Sequence, residues 1–311
     1  MATFNCSCGT GGIGNLGLPS CSDLLQVVAR VIILPTYADD GTRNSILSSD
    51  FSAGVLPANF INAKLIETDA SKRWNITDKL FDEVEISNTD RTTQTTSSGA
   101  MYELLQGVVT FSGKLYKRPP AYKGQLNSAK CGENSVYLVD TTGRLMGEVS
   151  DDGLTLFPLE LQEGSIVAEW FPKSDSSESY VSFDFQLDRI VSSENFLTIP
   201  SGNITENLKK AESLIDVALV EGTGTQSVTT LFVDANYSLY GTFGNKGALE
   251  GKVGLTAWDI DGANPTAVTE ATPGVYELTV ANTSPAIVKY VEVRTSATTK
   301  GFESNELTIT Y

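Results

Sequence analysis

Histidine is absent from all 311 residues. The commonest general base and the commonest metal ligand are therefore missing. Cysteine is scarce, at four residues. Cys6, Cys8 and Cys21 crowd the start of the chain, and Cys131 stands far downstream. That spacing is not a standard zinc pattern, and no histidine can complete one. Three readings stay open: a metal site built from all four thiols, a disulfide, or simple thiols in a reducing cytoplasm. Basic residues are few, 22 against 38 acidic ones, for a net charge of −16. Such a chain is poorly equipped to grip nucleic-acid phosphates or an anionic membrane. No apolar run approaches the ~20 residues that span a bilayer. The opening MATFNCSCGTGG has neither the charged nor the hydrophobic region of a secretion signal.

Catalytic patterns are missing as well. Gly9, Gly11 and Gly14 match G-x-G-x-x-G, but Cys6-Ser-Cys8 precedes them and Gly17-Leu-Pro19 follows. The motif binds dinucleotides only between a strand and a helix, so this stretch reads as a turned or flexible arm. Asp39, Asp40 and Gly41 with Asp50 hint at calcium. The alternating oxygens ending in Glu are absent, and the stretch reads as a turn. Asp151/Asp152 and Glu83/Glu85 read as solvated faces; a glycosidase needs two carboxylates ~5–10 Å apart in a cleft. Serine without histidine needs a lysine base, and no S-x-x-K stands in a helical context. The expectation is a protein with no catalytic residues, cofactor or metal, with a lysin-type hydrolase as the enzymatic rival.

What is present is β-patterning. Ser135 to Leu161, SVYLVDTTGRLMGEVSDDGLTLFPLEL, reads as three successive strands split by Asp140-Thr-Thr-Gly143 and Asp151-Asp152-Gly153. Period-two alternation between such turns predicts an antiparallel meander. Leu24–Pro35 is a Val/Ile-rich strand, and Ser49–Ile66 one or two short helical turns. Val84–Phe111 forms a long hairpin whose tip, Asn88–Ala100, holds almost nothing that can bury a face. After Pro119-Pro120, Tyr122–Lys130 reads as a short helix with Leu126 and Ala129 inward. In Tyr180–Ile190, alternation turns Val181, Phe183, Phe185 and Leu187 inward, and Asp184 and Gln186 outward. Pro200–Asn203 breaks the chain, and Glu206–Ile215 reads as an amphipathic helix with Leu208, Ala211 and Leu214 on one face. Short strands then recur to Tyr311. The organisation expected is an arm over 1–22, an antiparallel β-sandwich or barrel with a short helix over 23–203, a linker helix over 204–217 and a second β-sandwich over 218–311.

Several segments carry a family resemblance: NCSCGTGGIGNLGLPSC, RVIILPTYADDGTRNSI, ASKRWNITDKLFDEVE, YELLQGVVTFSG, the helix with Cys131, and the meander itself. In pattern and order, Met1 to Gly202 resembles the tail-tube-like virion proteins of phages that infect Bacteroidetes, including ring and tail proteins of crAss-like phages. Pro273-Gly274-Val-Tyr276 with the final ELTITY resembles bacterial and phage immunoglobulin-like modules. The resemblance implies a non-enzymatic virion subunit, made in the host cytoplasm, that forms a homo-oligomeric ring beside other tail or portal proteins, without a membrane. It implies that DNA passes through without specific binding. The alternative is a head-decoration or surface-adhesion protein that uses its C-terminal module.

Overall fold

The computed structural model describes residues 26–67, 69–78, 80–88, 92–98, 101–105, 107–189, 191, 195–238, 246–281, 285–292 and 301–310. The chain is mainly β and divides into two compact units, between Ala211 and Glu212. The first unit runs β1 (Val28–Pro35), β2 (Ile46–Leu47), α1 (Phe60–Leu65), β3 (Asn75–Ile76), β4 (Asp82–Asn88), β5 (Thr92–Thr95), β6 (Met101–Leu105) and β7 (Val109–Tyr116). It continues with α2 (Pro120–Ser128), β8 (Asn134–Asp140), β9 (Leu145–Val149), β10 (Thr155–Phe157), β11 (Leu159–Glu160), β12 (Val167–Phe171), β13 (Tyr180–Gln186) and β14 (Phe196–Ile199).

Strands β1 and β8 pair antiparallel from Val28↔Asp140 to Pro35↔Asn134, at the centre of an eight-stranded sheet. Both of their faces are buried, which is why VARVIILP and SVYLV are almost continuously apolar. On one face Val31, Ile33, Val136 and Leu138 meet Phe111, Phe183 and Phe185 of a four-stranded sheet, ordered β12-β13-β7-β4. On the other face Ile32, Leu34, Tyr137 and Val139 meet Ile61 and Leu65 of α1, Trp74, and the chain from Ile199 to Ala211. The result is a β-sandwich with a third, irregular layer on its far side. Rings lock the sandwich: Phe111 stacks on Phe185 at 4.7 Å and 14°, and Phe81 on Phe183 at 6.0 Å and 17°.

The meander forms as its turns predict, with Leu138↔Met146 joining β8 to β9 and Leu156↔Val149 joining β9 to β10. Its first turn is held by a carboxylate. The buried Asp140 side chain accepts the backbone N–H of Thr142 at 2.8 Å, Arg144 at 2.9 Å and Gln26 at 3.2 Å, and the Thr142 hydroxyl at 2.7 Å. Gly143 closes the turn at φ +88°, a conformation that costs glycine little. At Gly147 a Cβ would stand 2.4 Å from the Phe157 carbonyl oxygen and 2.9 Å from the Tyr137 ring. Only glycine lets β9 pass between them.

Two expectations need correction. The stretch read as a helix, Glu206–Ile215, holds only a turn over 208–210, and Ile215 opens a strand. Leu208 and Ala211 are buried as that reading required, but long-range hydrogen bonds hold the backbone in place of a helical ladder. The span 204–217 is thus not a linker helix. Second, the helix at Tyr122–Lys130 starts two residues earlier, with Pro120 in its first turn, where the missing N–H costs nothing. Leu126 is buried as expected, and Ala129 packs half-buried beside it. The expected hairpin carries paired strands, β4 with β7 and, within its tip, Thr92–Thr95 with Met101–Leu105.

The second unit contains β15 (Ile215–Glu221), β16 (Thr230–Ser238), β17 (Lys246–Ala248), β18 (Trp258–Ile260), β19 (Ala267–Thr272), β20 (Val275–Thr279), β21 (Ala286–Glu292), β22 (Phe302–Ser304) and β23 (Leu307–Ile309). Pairing is antiparallel except between β15 and β22. Trp258 sits at the centre, 5.0 Å from the Tyr276 ring and 4.8 Å from Tyr290. Side-chain amides extend the ladders where strands stop. Asn305 accepts the Leu219 N–H at 2.7 Å and donates to its carbonyl at 3.3 Å, and Gln226 treats Phe232 in the same way.

Phe183, Phe185 and Leu187 are buried, at 0%, 1% and 4% exposure, and Asp184 lies on the opposite face. Phe185→Ala should therefore cost about 3–5 kcal/mol in a urea titration, and Asp184→Ala no more than about 0.5 kcal/mol. Equal losses would mean the register is wrong by one residue. Burial pushes the Asp140 carboxyl upward, but the Thr142 hydroxyl and the N–H groups of Arg144, Gln26 and Thr142 outweigh it and hold it below 3.8. A depressed folded value stabilises above the unfolded one, and the contribution fades as pH falls through 3.8 and below. Asp140→Asn should cost about 1–3 kcal/mol at neutral pH and flatten the loss of stability between pH ~5 and ~3. The urea midpoint against pH, compared with the parent chain, measures this.

Candidate assembly surface

The four-stranded sheet has one buried face and one open face, and strand alternation decides what the open face carries. On β7 the open positions are Thr110, Ser112, Lys114 and Tyr116, and on β13 Tyr180, Ser182, Asp184 and Gln186. Register adds Val167, Glu169 and Phe171 from β12, and Glu85 and Ser87 from β4. The middle of the face is thus hydroxyls and an amide with three carboxylates, Glu85, Glu169 and Asp184. Its one cation is Lys114.

Lys114 is not left to itself. A β-bulge between Asp82 and Glu85 puts Glu83 at φ +50° and turns its side chain over the face. The Lys114 ammonium binds the Glu83 carboxylate, and the Tyr116 hydroxyl donates to the same group at 2.6 Å. The ammonium, followed by the phenol, lowers the Glu83 carboxyl from its usual range, and Glu83 in turn raises both Lys114 and Tyr116. Lys114 Nζ also lies 5.2 Å above the Tyr180 ring. Tyr180 stacks on Phe171 at 4.7 Å and 20°, with Tyr116 5.6 Å away. One end of the open face is therefore a row of three rings capped by a neutralised lysine.

Both outer strands of this sheet, β4 and β12, pair with another strand on one side only, and on the β12 edge the Asn127 amide of α2 accepts the Ala168 N–H at 2.8 Å and donates to its carbonyl at 3.1 Å. An unpaired strand edge is a template for another chain, and proteins usually blunt it. Here the edges carry apolar side chains: Ile86 is 48% exposed on β4, and Val167 and Phe171 are each 38% exposed on β12. From β4 and β7 the hairpin continues outward as β5 and β6. Thr92↔Leu105 keeps the offset of Asn88↔Val109, and a register shift between Thr92 and Thr93 then separates the rest of the β5–β6 ladder from it.

Residues singled out by sequence fall elsewhere. Cys6, Cys8, Cys21 and the glycines Gly9, Gly11 and Gly14 lie outside the described residues. Cys131 is an exposed free thiol just beyond α2. Asp40 binds Lys72 Nζ at 2.9 Å and the Thr42 N–H at 2.8 Å, and Asp50 caps the Leu47 N–H at 2.8 Å. Among the described residues no group of three or more Cys, Asp or Glu side chains is arranged to hold a metal ion. Asp152 accepts the Leu154 N–H at 2.9 Å in a turn, and Glu83 and Glu85 share the open face described above. Sequence reasoning missed the aromatic row. Its signal was available in the alternation of FSGKLY and of YVSFDFQ, which sets Lys114, Tyr116 and Tyr180 on one side. No protein-family model matches the chain, and no curated protein matches it in sequence.

Proposed function

We propose that this chain is a non-enzymatic virion protein of the tail-tube-like type, a subunit that closes with copies of itself into a ring or tube through which phage DNA passes. The observation that carries the reading is the four-stranded sheet, with an unpaired β4 edge that bears the exposed Ile86 and an open face of hydroxyls and carboxylates. Edges of this kind favour strand addition between copies. A face whose single lysine is already neutralised by Glu83 repels phosphate, so DNA slides past without adhering. The second unit, built around Trp258, is read as an immunoglobulin-like module. The protein is then placed in the phage tail or neck, next to other tail or portal proteins.

The hairpin supplies the test. Between β4 and β7 the chain also forms the two-stranded β5–β6 ribbon, where Thr92, Thr93 and Thr95 favour extended backbone. In the proposed assembly this ribbon lies against the neighbouring copy. Replacing residues 89–108 by Asn-Gly keeps the Asn88↔Val109 pair beside a two-residue turn. The replaced chain should melt within a few degrees of the parent and form no rings, while the parent shows closed rings with a central channel by electron microscopy. Rings from the replaced chain would remove the ribbon from the interface. A parent chain that stays monomeric at every concentration would overturn the ring reading.

A further inference from the structure

Strand alternation gives the second unit a buried face and an open one. Val217, Leu219, Val233 and Tyr276 turn into the core around Trp258. The residues between them turn the other way: Ala218 and Val220 on β15, Phe232 and Asp234 on β16, Val275 and Glu277 on β20. Register sets Val220, Asp234 and Val275 in one row across three strands, with Phe232 opposite Glu277 in the next. Val220 is 40% exposed.

Strand β22 accompanies β15 only from Ile215 to Val217. Beyond that point the Asn305 amide stands in for a strand at Leu219. Where the pairing ends, a groove of about 570 Å³ runs along β15, lined by Ala218 and Val220 and also by Asp216 and Glu303. Phe232 is fixed in place. A Cβ on Gly224 would stand 2.2 Å from its ring, and the Gln226 amide brackets its backbone at 2.8 and 2.9 Å. A surface fixed in advance loses little freedom on binding.

Asp234 is out of place on this face. Its Oδ1 is shut off from solvent and has no hydrogen-bond partner. Valines stand opposite it on both neighbouring strands, so neither offers it a side-chain donor there. A shielded carboxylate oxygen ordinarily meets a donor, and here the fold supplies none. Glu277 stands diagonally across from it, within the reach of one long side chain. Strands β15, β16, β19, β20 and β22 contain no lysine or arginine.

We propose that this face docks another protein through a basic side chain, an arginine or lysine on an apolar stretch. Its charged end meets Asp234 and Glu277, and its aliphatic stem and apolar neighbours cover Val220 and Ala218 in the groove. Long basic side chains suit such a place, because the stem covers apolar surface while the head keeps its hydrogen bonds. A second copy of this chain is a poor occupant. In this unit Lys252 is already bound to Glu292, and Lys289 lies 4.0 Å from Glu306. Two copies at −16 each also repel. The inference holds whether or not the chain closes into rings.

Methyl NMR of the full chain tests it, with acetyl-Leu-Arg-Leu-amide as the probe and acetyl-Leu-Glu-Leu-amide as the control. The arginine peptide should shift the methyl signals of Ala218, Val220 and Val275 in a saturable way and leave the core valines Val217 and Val233 in place. Asp234→Asn keeps the shape without the charge and should weaken this binding about fivefold or more. The same variant should melt no lower than the parent, because no bond of the fold is lost. No shift at saturating peptide, an equal response to the glutamate peptide, or unchanged affinity in Asp234→Asn would each overturn the proposal. A melting point several degrees below the parent's would overturn it too, by showing that Asp234 serves the fold.

Discussion

The pairing of β1 with β8 is the constraint on which the first unit depends. Because both faces of this pair are buried, each strand must satisfy two cores at once, and a shift of one residue would exchange them. That double burial leaves no position on β1 for a solvated charge. Arg30 is there nevertheless, and it is accommodated by backbone carbonyls from Thr77, Leu208 and Ala211. An ion taken out of water is tolerated only when its hydrogen-bonding groups are met. Here meeting them draws a distant piece of chain onto the sheet. The third layer, from Ile199 to Ala211, is thus a consequence of one charge on the central strand as much as of Leu208 and Ala211.

The same arrangement explains what could be read from the sequence and what could not. The β8–β10 meander was legible because its determinants are local: Asp140 bonds residues two and four positions ahead, and Gly143 supplies the turn. The Val181–Leu187 alternation was legible because half-burial leaves a period of two. The segment after Pro200 was misread because Leu208, Ala211 and Leu214 recur at helical spacing, whereas its conformation is decided by Glu206 and Arg30 across 144 to 181 residues of chain. An isolated helix of ten residues is marginal in water, so a few long-range bonds suffice to replace it. At the hairpin tip almost nothing can bury a face, yet a two-stranded ribbon forms there, because it needs only aligned partners and Thr is a strand former.

The open face was half legible. Alternation placed Asp184 and Gln186 on it, but which strands lie beside β13 is a matter of topology. Only the β12-β13-β7-β4 order brings Phe171, Tyr180 and Tyr116 into one row. The bulge that turns Glu83 toward Lys114 has no sequence signature either, since Asp82-Glu83-Val84-Glu85 reads as an ordinary acidic strand.

Charge sets a condition on any assembly of this chain. At −16 per copy, like subunits repel, and screening over ~8 Å at physiological salt removes only part of that at contact distance. Strand addition answers this, because it binds through backbone groups that carry no net charge. The apolar side chains on the two sheet edges add area that water disfavours: Ile86 on one, Val167 and Phe171 on the other. Alternation divides β4 between the two tasks. Ile86, opposite Phe111, lies on the core side of the strand, while Glu85, opposite Ser112, points to the open face. On β12, Val167 and Phe171 share the open face with Glu169. In the proposed ring, β4 joins copies through its backbone and Ile86 while Glu85 faces the channel, so that one strand serves both cohesion between subunits and repulsion of the polyanion passing through them.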